Sequence, residues 1–171
     1  MKIRRAVPED AEAYGQLRSA VLLESEFMLR EPGEYQFEAG ELARQLEAVS
    51  GSGNSVVLLA HGDEDLVGFA AAAGGALSRT RHVAGIVMAV RREYWGQGIG
   101  RALLAQVCAW ARDAHLYRLE LNVAVSNERA VALYQSAGFV IEGVRRAAVM
   151  CQGRYEDDYA MALLLDGPGT M

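Results

Sequence analysis

The stretch Arg91-Arg92-Glu93-Tyr94-Trp95-Gly96-Gln97-Gly98-Ile99-Gly100-Arg101 decides how this chain is read. Its glycines alternate at positions 96, 98 and 100, between an apolar run ending at Val90 and a run of helical period. Where a strand hands over to a helix, missing Cβ atoms let backbone N–H groups close on an anion. The first helical turn adds its own unpaired donors and a partial positive charge. A phosphate-bearing ligand suits such a turn.

Working outward, His82 to Val90 reads as the strand entering the turn, and Ile99, Leu103, Val107 and Trp110 share one face of the helix leaving it. Tyr117 to Val125 returns to strand, with Leu119, Leu121 and Val123 on one side. Ser126 or Asn127 caps a further helix, which Gly138 ends. Phe139 to Val144 and Tyr155 to Leu165 are the last two strands, and Asp166 to Met171 reads as a frayed tail.

Upstream, Ile3 to Val7 is a short strand. Pro8-Glu9-Asp10 opens a helix whose stripe is Ala13, Leu17, Ala20 and Val21. Glu24 to Gly40 is an acidic loop broken at Pro32-Gly33, and Glu41 to Val49 a second helix. Val56 to Ala60 and Leu66 to Ala73 are strands joined by His61-Gly62-Asp63-Glu64-Asp65. The order is β, two helices, three strands, α, β, α and two strands. It predicts a mixed α/β layout in a single domain spanning residues 1–171, with no repeat or low-complexity stretch.

Two phosphate motifs are excluded. A P-loop needs Gly-Lys-Ser or Gly-Lys-Thr, and neither tripeptide occurs. The dinucleotide fingerprint fails in both registers, giving Arg101 counted from Gly96 and Leu103 counted from Gly98. Composition narrows the field further. Seventeen Lys and Arg against 22 Asp and Glu give a net charge of −5, which argues against broad nucleic-acid binding. No apolar run approaches the ~20 residues that span a bilayer, and Pro8, Glu9 and Asp10 stand where a signal peptide is apolar. A cytoplasmic protein is expected. Cys108 and Cys151 have neither metal-ligand nor disulfide-framework spacing and read as structural; no metal site is expected.

The run from Val90 through Tyr94-Trp95-Gly96-Gln97-Gly98-Ile99-Gly100-Arg101 to Leu104 resembles the acetyl-CoA signature of the GNAT family of N-acetyltransferases. A second block, Asn127 with Ala130, Leu133, Tyr134, Gly138 and Phe139, resembles that family's later motif. The resemblance implies a mostly antiparallel central sheet of about seven strands flanked by about four helices. It implies acetyl-CoA as cofactor, its pyrophosphate on Trp95, Gly96, Gln97, Gly98, Ile99, Gly100 and Arg101. Its pantetheine arm would run along Met88, Ala89 and Val90, with Asn127 and Tyr134 on the opposite wall. Trp95 stands where the family often has Arg or Gln. It therefore reads as a packing residue, with Arg91, Arg92 or Arg101 as substitutes for the phosphate contact.

Asn127, Val131 and Tyr134 share one helix face, and Asn127 and Tyr134 lie roughly 10 Å apart along the axis at ~1.5 Å per residue. By resemblance Tyr134 protonates the leaving thiolate. A substrate ammonium, with its pKa near ~10, must lose a proton before attack. Glu120 is the proposed base, acting through water, with His82 or water alone as alternatives; Asn122 occupies the position where related alanine-peptide enzymes carry glutamate. Clustered acids in Gly153 to Met161 could bind a cationic amine, but on an edge hairpin they are more often a solvated face. The family resemblance is strongest to ribosomal-protein, polyamine and L-amino-acid N-acetyltransferases. The expected partner is a small-molecule primary amine, an amino acid or polyamine, with no nucleic acid or membrane. The alternatives are a protein amino terminus and a silent acyl-CoA-binding regulatory module. Exposed final strands of this kind support homodimers in the family.

Overall fold

The computed structural model describes residues 1–63 and 65–165; Glu64 of the first hairpin turn and the tail from Asp166 to Met171 lie outside the described residues. The strands are β1 (Lys2–Arg5), β2 (Val56–His61), β3 (Leu66–Gly74), β4 (Val83–Val90), β5 (Arg118–Ala124), β6 (Val140–Cys151) and β7 (Arg154–Leu164). The helices are α1 (Ala11–Glu24), α2 (Ala39–Gly51), α3 (Ile99–Asp113) and α4 (Glu128–Ser136). One seven-stranded sheet runs β1-β2-β3-β4-β5-β7-β6. All neighbours are antiparallel except β4 and β5.

Strand alternation divides the core. On one face Leu58, Ile86, Leu119, Leu121 and Met161 pack with Leu103, Val107 and Trp110 of α3 and Tyr134 of α4. On the other, Val57, Leu59 and Phe69 pack with Leu17 and Val21 of α1 and Leu42 and Leu46 of α2. The α3 stripe is buried as its period requires.

Two readings from the sequence are corrected. In α1 the buried face is Ala11, Tyr14, Gly15, Leu17, Val21 and Leu22, while Ala13 is exposed. A short 3-10 turn at Pro8–Asp10 precedes the helix and rotates the stripe. Gly15 sits inside it because the Phe37 ring occupies the space of a Cβ. The second correction concerns β6, which runs on to Cys151 rather than stopping at Val144. It is an edge strand with register shifts at Ile141/Gly143 and Arg145/Val149, and Ala147 has φ 50°. Bulges and solvent on both sides erase the alternation that would have marked it.

The parallel contact between β4 and β5 lasts three residue pairs: Val83 with Arg118, Ala84 with Leu119 and Gly85 with Glu120. Beyond Gly85 the strands part. β4 stays paired to β3 as far as Gly68–Val90, and β5 to β7 as far as Ala124–Asp158. The split opens the sheet at the strand that leads into the glycine turn.

Candidate active site

The split fixes which backbone groups are free. The Arg91 N–H donates to the Val67 carbonyl across the β3–β4 ladder. Antiparallel alternation therefore turns the N–H and C=O of Ile86, Met88 and Val90 away from β3, into the gap. Ala89 is turned the other way, so its backbone is withdrawn from the set Met88, Ala89 and Val90. The Val90 carbonyl is already taken by the Trp95 indole N–H at 2.6 Å. The open edge of β4 is thus centred on Ile86 and Met88.

After a 3-10 turn at Arg92–Tyr94, Gly96 and Gly98 adopt φ 77° and 81°, a region that favours glycine. A Cβ at either would have no protein atom within 4 Å. The open space in front of them is what an anion cradle needs. The first helical bond of α3 is Ala102 N–H to Gly98 O, which leaves the N–H groups of Ile99, Gly100 and Arg101 without helical acceptors. Gly100 has a different reason: its Cβ would stand 3.3 Å from Leu133 and 3.5 Å from Met88, so glycine here lets α4 approach α3. The Gln97 side-chain amide donates to the Glu93 carbonyl at 3.3 Å and braces the turn.

Trp95 is 36 % exposed, with its indole N–H turned back onto the strand rather than toward the turn. Arg129 of α4 and Arg92 lie over its ring at 4.6 and 5.4 Å from the centroid. Arg91 is tied to Glu24 at 2.8 Å and to Glu93 at 3.1 Å, which removes it as a substitute phosphate ligand. Arg92, Arg101 and Arg129 are the exposed guanidinium groups near the turn. Arg129 was missed because it falls at an unspecified position of the second block, between Asn127 and Ala130.

A cleft of about 930 Å³ runs through the split, lined on the helical side by Met88, Asn127, Ala130 and Tyr134. Asn127 caps α4 by accepting the Ala130 N–H at 3.2 Å, so its carbonyl oxygen is used locally and its amide donors remain. Val131 packs into the core instead, and Ala130 takes its place on the wall. Tyr134 is buried, its ring 5.7 Å from that of Phe139. Burial pushes its phenol up to about 12, which keeps the proton on oxygen at neutral pH.

The opposite side of the cleft carries Arg18, the segment Glu26 to Glu31, Glu120, Asn122, Glu156 and Asp158. Glu120 meets the cleft but is bound by Arg118 at 2.8 Å, and the same guanidinium grips Glu142. The Glu120 carboxylate is thus engaged in an ion pair on the strand rather than standing free toward the cleft. His82 is exposed and outside the cleft lining.

Asp158, read from the sequence only as one of a cluster of acids, stands apart from its neighbours here. It is the buried charged residue among those described, 7 % exposed. Burial pushes its carboxyl above the usual range; Arg145 opposes this, and Glu156 and Asp157 add to it. Cys108 is buried and its thiol is pushed up by desolvation, as suits an inert core residue. Among the described residues no group of three His, Cys, Asp or Glu side chains could hold a metal ion, and no helix is long and apolar enough to cross a membrane.

The split sheet, the positive-φ glycine turn and the helix facing it define a family. The chain belongs to the acetyltransferase (GNAT) family, whose model matches residues 21–139. It is 32 % identical over 148 residues to the aminoglycoside N(6')-acetyltransferase type 1 of Stenotrophomonas maltophilia, covering 80 % of this chain and 84 % of that one. It is also 32 % identical to an L-amino acid N-acetyltransferase of Escherichia coli, over 58 % of this chain and 62 % of the relative. Among solved structures, an acetyltransferase of the GNAT family from Streptococcus pneumoniae superposes with a TM-score of 0.93 at 30 % identity, over 96 % of this chain and 99 % of the other. The protein is an N-acetyltransferase, and acetyl-CoA is the donor used by its family. Its own residues fit that donor: the open β4 edge accepts an extended chain, and the space before Gly96 and Gly98 accepts an anion.

Proposed function

We propose that this enzyme acetylates a primary amine of a small molecule by direct transfer, both substrates being bound together. A single observation carries the reading: one continuous cleft passes through the split sheet, with Tyr134 on the helical side and an acid-bearing wall on the other. Amine and thioester can meet there without a covalent enzyme intermediate. The aminoglycoside relative, which matches over 80 % of this chain, supports a small amine; a ribosomal-protein-alanine N-acetyltransferase matches over 44 % of it.

The bound donor supplies an activated acetyl carbon. The chain's residues do the rest. Gly96, Gln97, Gly98, Ile99 and Arg101 hold the phosphates through backbone N–H groups, with Arg92 and Arg129 as nearby positive charge. The edge of β4 at Ile86 and Met88 pairs with the pantetheine amides, and the free amide donors of Asn127 face it. An N–H on that edge polarises the thioester carbonyl. As the C–N bond forms and the C–S bond breaks, Tyr134 gives its proton to the departing sulfur and regains one from solvent. With Glu120 bound to Arg118, water in the open cleft takes the protons released by the amine.

The test is thiol release from acetyl-CoA on adding L-amino acids, polyamines, aminoglycosides and a peptide with a free amino terminus. Release with a small amine is the expected result. Tight coenzyme A binding with no release on any of them would refute the enzyme reading, and release with the peptide alone would shift the acceptor to a protein.

A further inference from the structure

Asp158 is placed in an unusual position for a carboxylate. Its side chain is 10 % exposed, yet it lines the cleft. Its charge partner, Arg145, stands at 3.7 Å, beyond hydrogen-bond distance, and is itself 52 % exposed. Met161 is buried in the α3-side core, with Tyr159 and Leu163 packed against it, so alternation sends Asp158 and Ala160 to the other face. Glu120 and Asn122 occupy that same face, since they alternate with Leu119, Leu121 and Val123. The small side chains of Ala124 and Ala160 leave room there, and both line the cleft.

The lateral distance decides what this carboxylate can bind. Asp158 pairs with Ala124 across the β5–β7 ladder, so β5 lies between it and β4. Two strand spacings of ~4.8 Å put it roughly 10 Å from the β4 edge, and the split widens the gap. The proposed function places the acetyl group at that edge, and this inference rests on that placement. An attacking nitrogen held at the edge is too far away to touch Asp158. A second ammonium on the same molecule, several bonds removed, reaches it.

We infer that Asp158 anchors a second cationic centre of the acceptor, so that the preferred substrate is a diamine, polyamine or other polycationic amine rather than a monoamine. Arg145 holds the carboxylate loosely and swings to solvent when an ammonium arrives. An α-amino acid brings a carboxylate beside its amine and gains nothing from Asp158.

The probes are 1,4-diaminobutane and n-butylamine, which share a carbon chain and differ by one ammonium. The wild-type enzyme should favour the diamine by about tenfold or more in kcat/KM. Asp158→Asn should erase that preference by lowering the diamine kcat/KM toward that of butylamine, with the acetyl-CoA KM within about twofold. Arg145→Gln, at an exposed side chain, should increase the preference and keeps the test decisive where Asp158→Asn fails to fold. No preference in the wild type, a preference retained in Asp158→Asn, or one unmoved by Arg145→Gln overturns the inference. Calorimetric binding of both amines to the coenzyme A complex separates the two readings. Diamine binding that depends on Asp158 without any thiol release would defeat the enzyme mechanism and leave the anchor standing; equal or absent binding of the two amines defeats the anchor.

Discussion

Replacing Gly98 with alanine separates folding from binding at the glycine turn. Gly98 has φ 81° and ψ 0°, and a Cβ there meets no protein atom within 4 Å. The folded protein therefore loses only the backbone term, about 1–2 kcal/mol for an L-residue in the left-handed region. For a chain of this size each kcal/mol moves the melting temperature by about 2–4 °C, so the free variant should melt roughly 2–8 °C lower. Coenzyme A at a hundred times its Kd adds about 2.7 kcal/mol to the wild type, a rise of roughly 5–11 °C. If the new methyl group occupies the cradle and weakens binding a hundredfold, the same concentration raises the variant by only ~1–2 °C. Differential scanning fluorimetry with and without coenzyme A reads both shifts. A variant that melts lower as calculated but keeps the full ligand-induced rise would show that the phosphates do not sit at Gly98.

Tyr134→Phe keeps the ring against Phe139 and removes the proton, so kcat should fall about 100-fold or more with the acetyl-CoA KM within threefold; an unchanged kcat removes Tyr134 as the acid. Gly15→Ala puts a Cβ 2.3 Å from the Phe37 ring and should cost about 1–3 kcal/mol by thermal melting. Asp10 is held below the usual carboxylate range by hydrogen bonds from the Arg4 guanidinium, with the Val7 N–H adding to them. A depressed carboxyl contributes stability above its unfolded pKa of ~3.9 and loses it as pH falls through the folded value. Asp10→Asn should therefore melt lower at pH 7, and the gap should narrow as acid protonates the carboxyl through its lowered folded value; a gap that is independent of pH would refute the linkage.

Most of the backbone around the glycine turn was legible in the sequence. Alternating glycines, the α3 stripe, the cap at Asn127 and the stop at Gly138, with φ 93°, are local signals tied to backbone geometry. The distinct duties of the three glycines were not readable. Gly96 and Gly98 serve conformation and Gly100 serves helix packing, a difference that depends on Leu133 in another element. Ala89 was grouped with Met88 and Val90 because sequence gives side-chain parity but not which edge of the strand is paired. The acceptor side was least legible. Glu156, Asp157 and Asp158 look alike as a string, yet Asp157 accepts the Ala147 N–H on the hairpin while Asp158 turns into the cleft. Three ladders and a loop from α1 set that difference, and none of them leaves a local mark.

The three-pair seam between β4 and β5 divides the sheet like the spine of a book, with β1–β4 in one leaf and β5–β7 in the other. On the proposed function, a ligand lying in the gutter would bond to the first leaf while its reacting end is approached from the second. On that reading the angle between the leaves would become a coordinate of the reaction, shared by both substrates. It also means that amides of Ile86 and Met88, deep inside the fold by position, should exchange with solvent as freely as those of an outer strand until the gutter is filled.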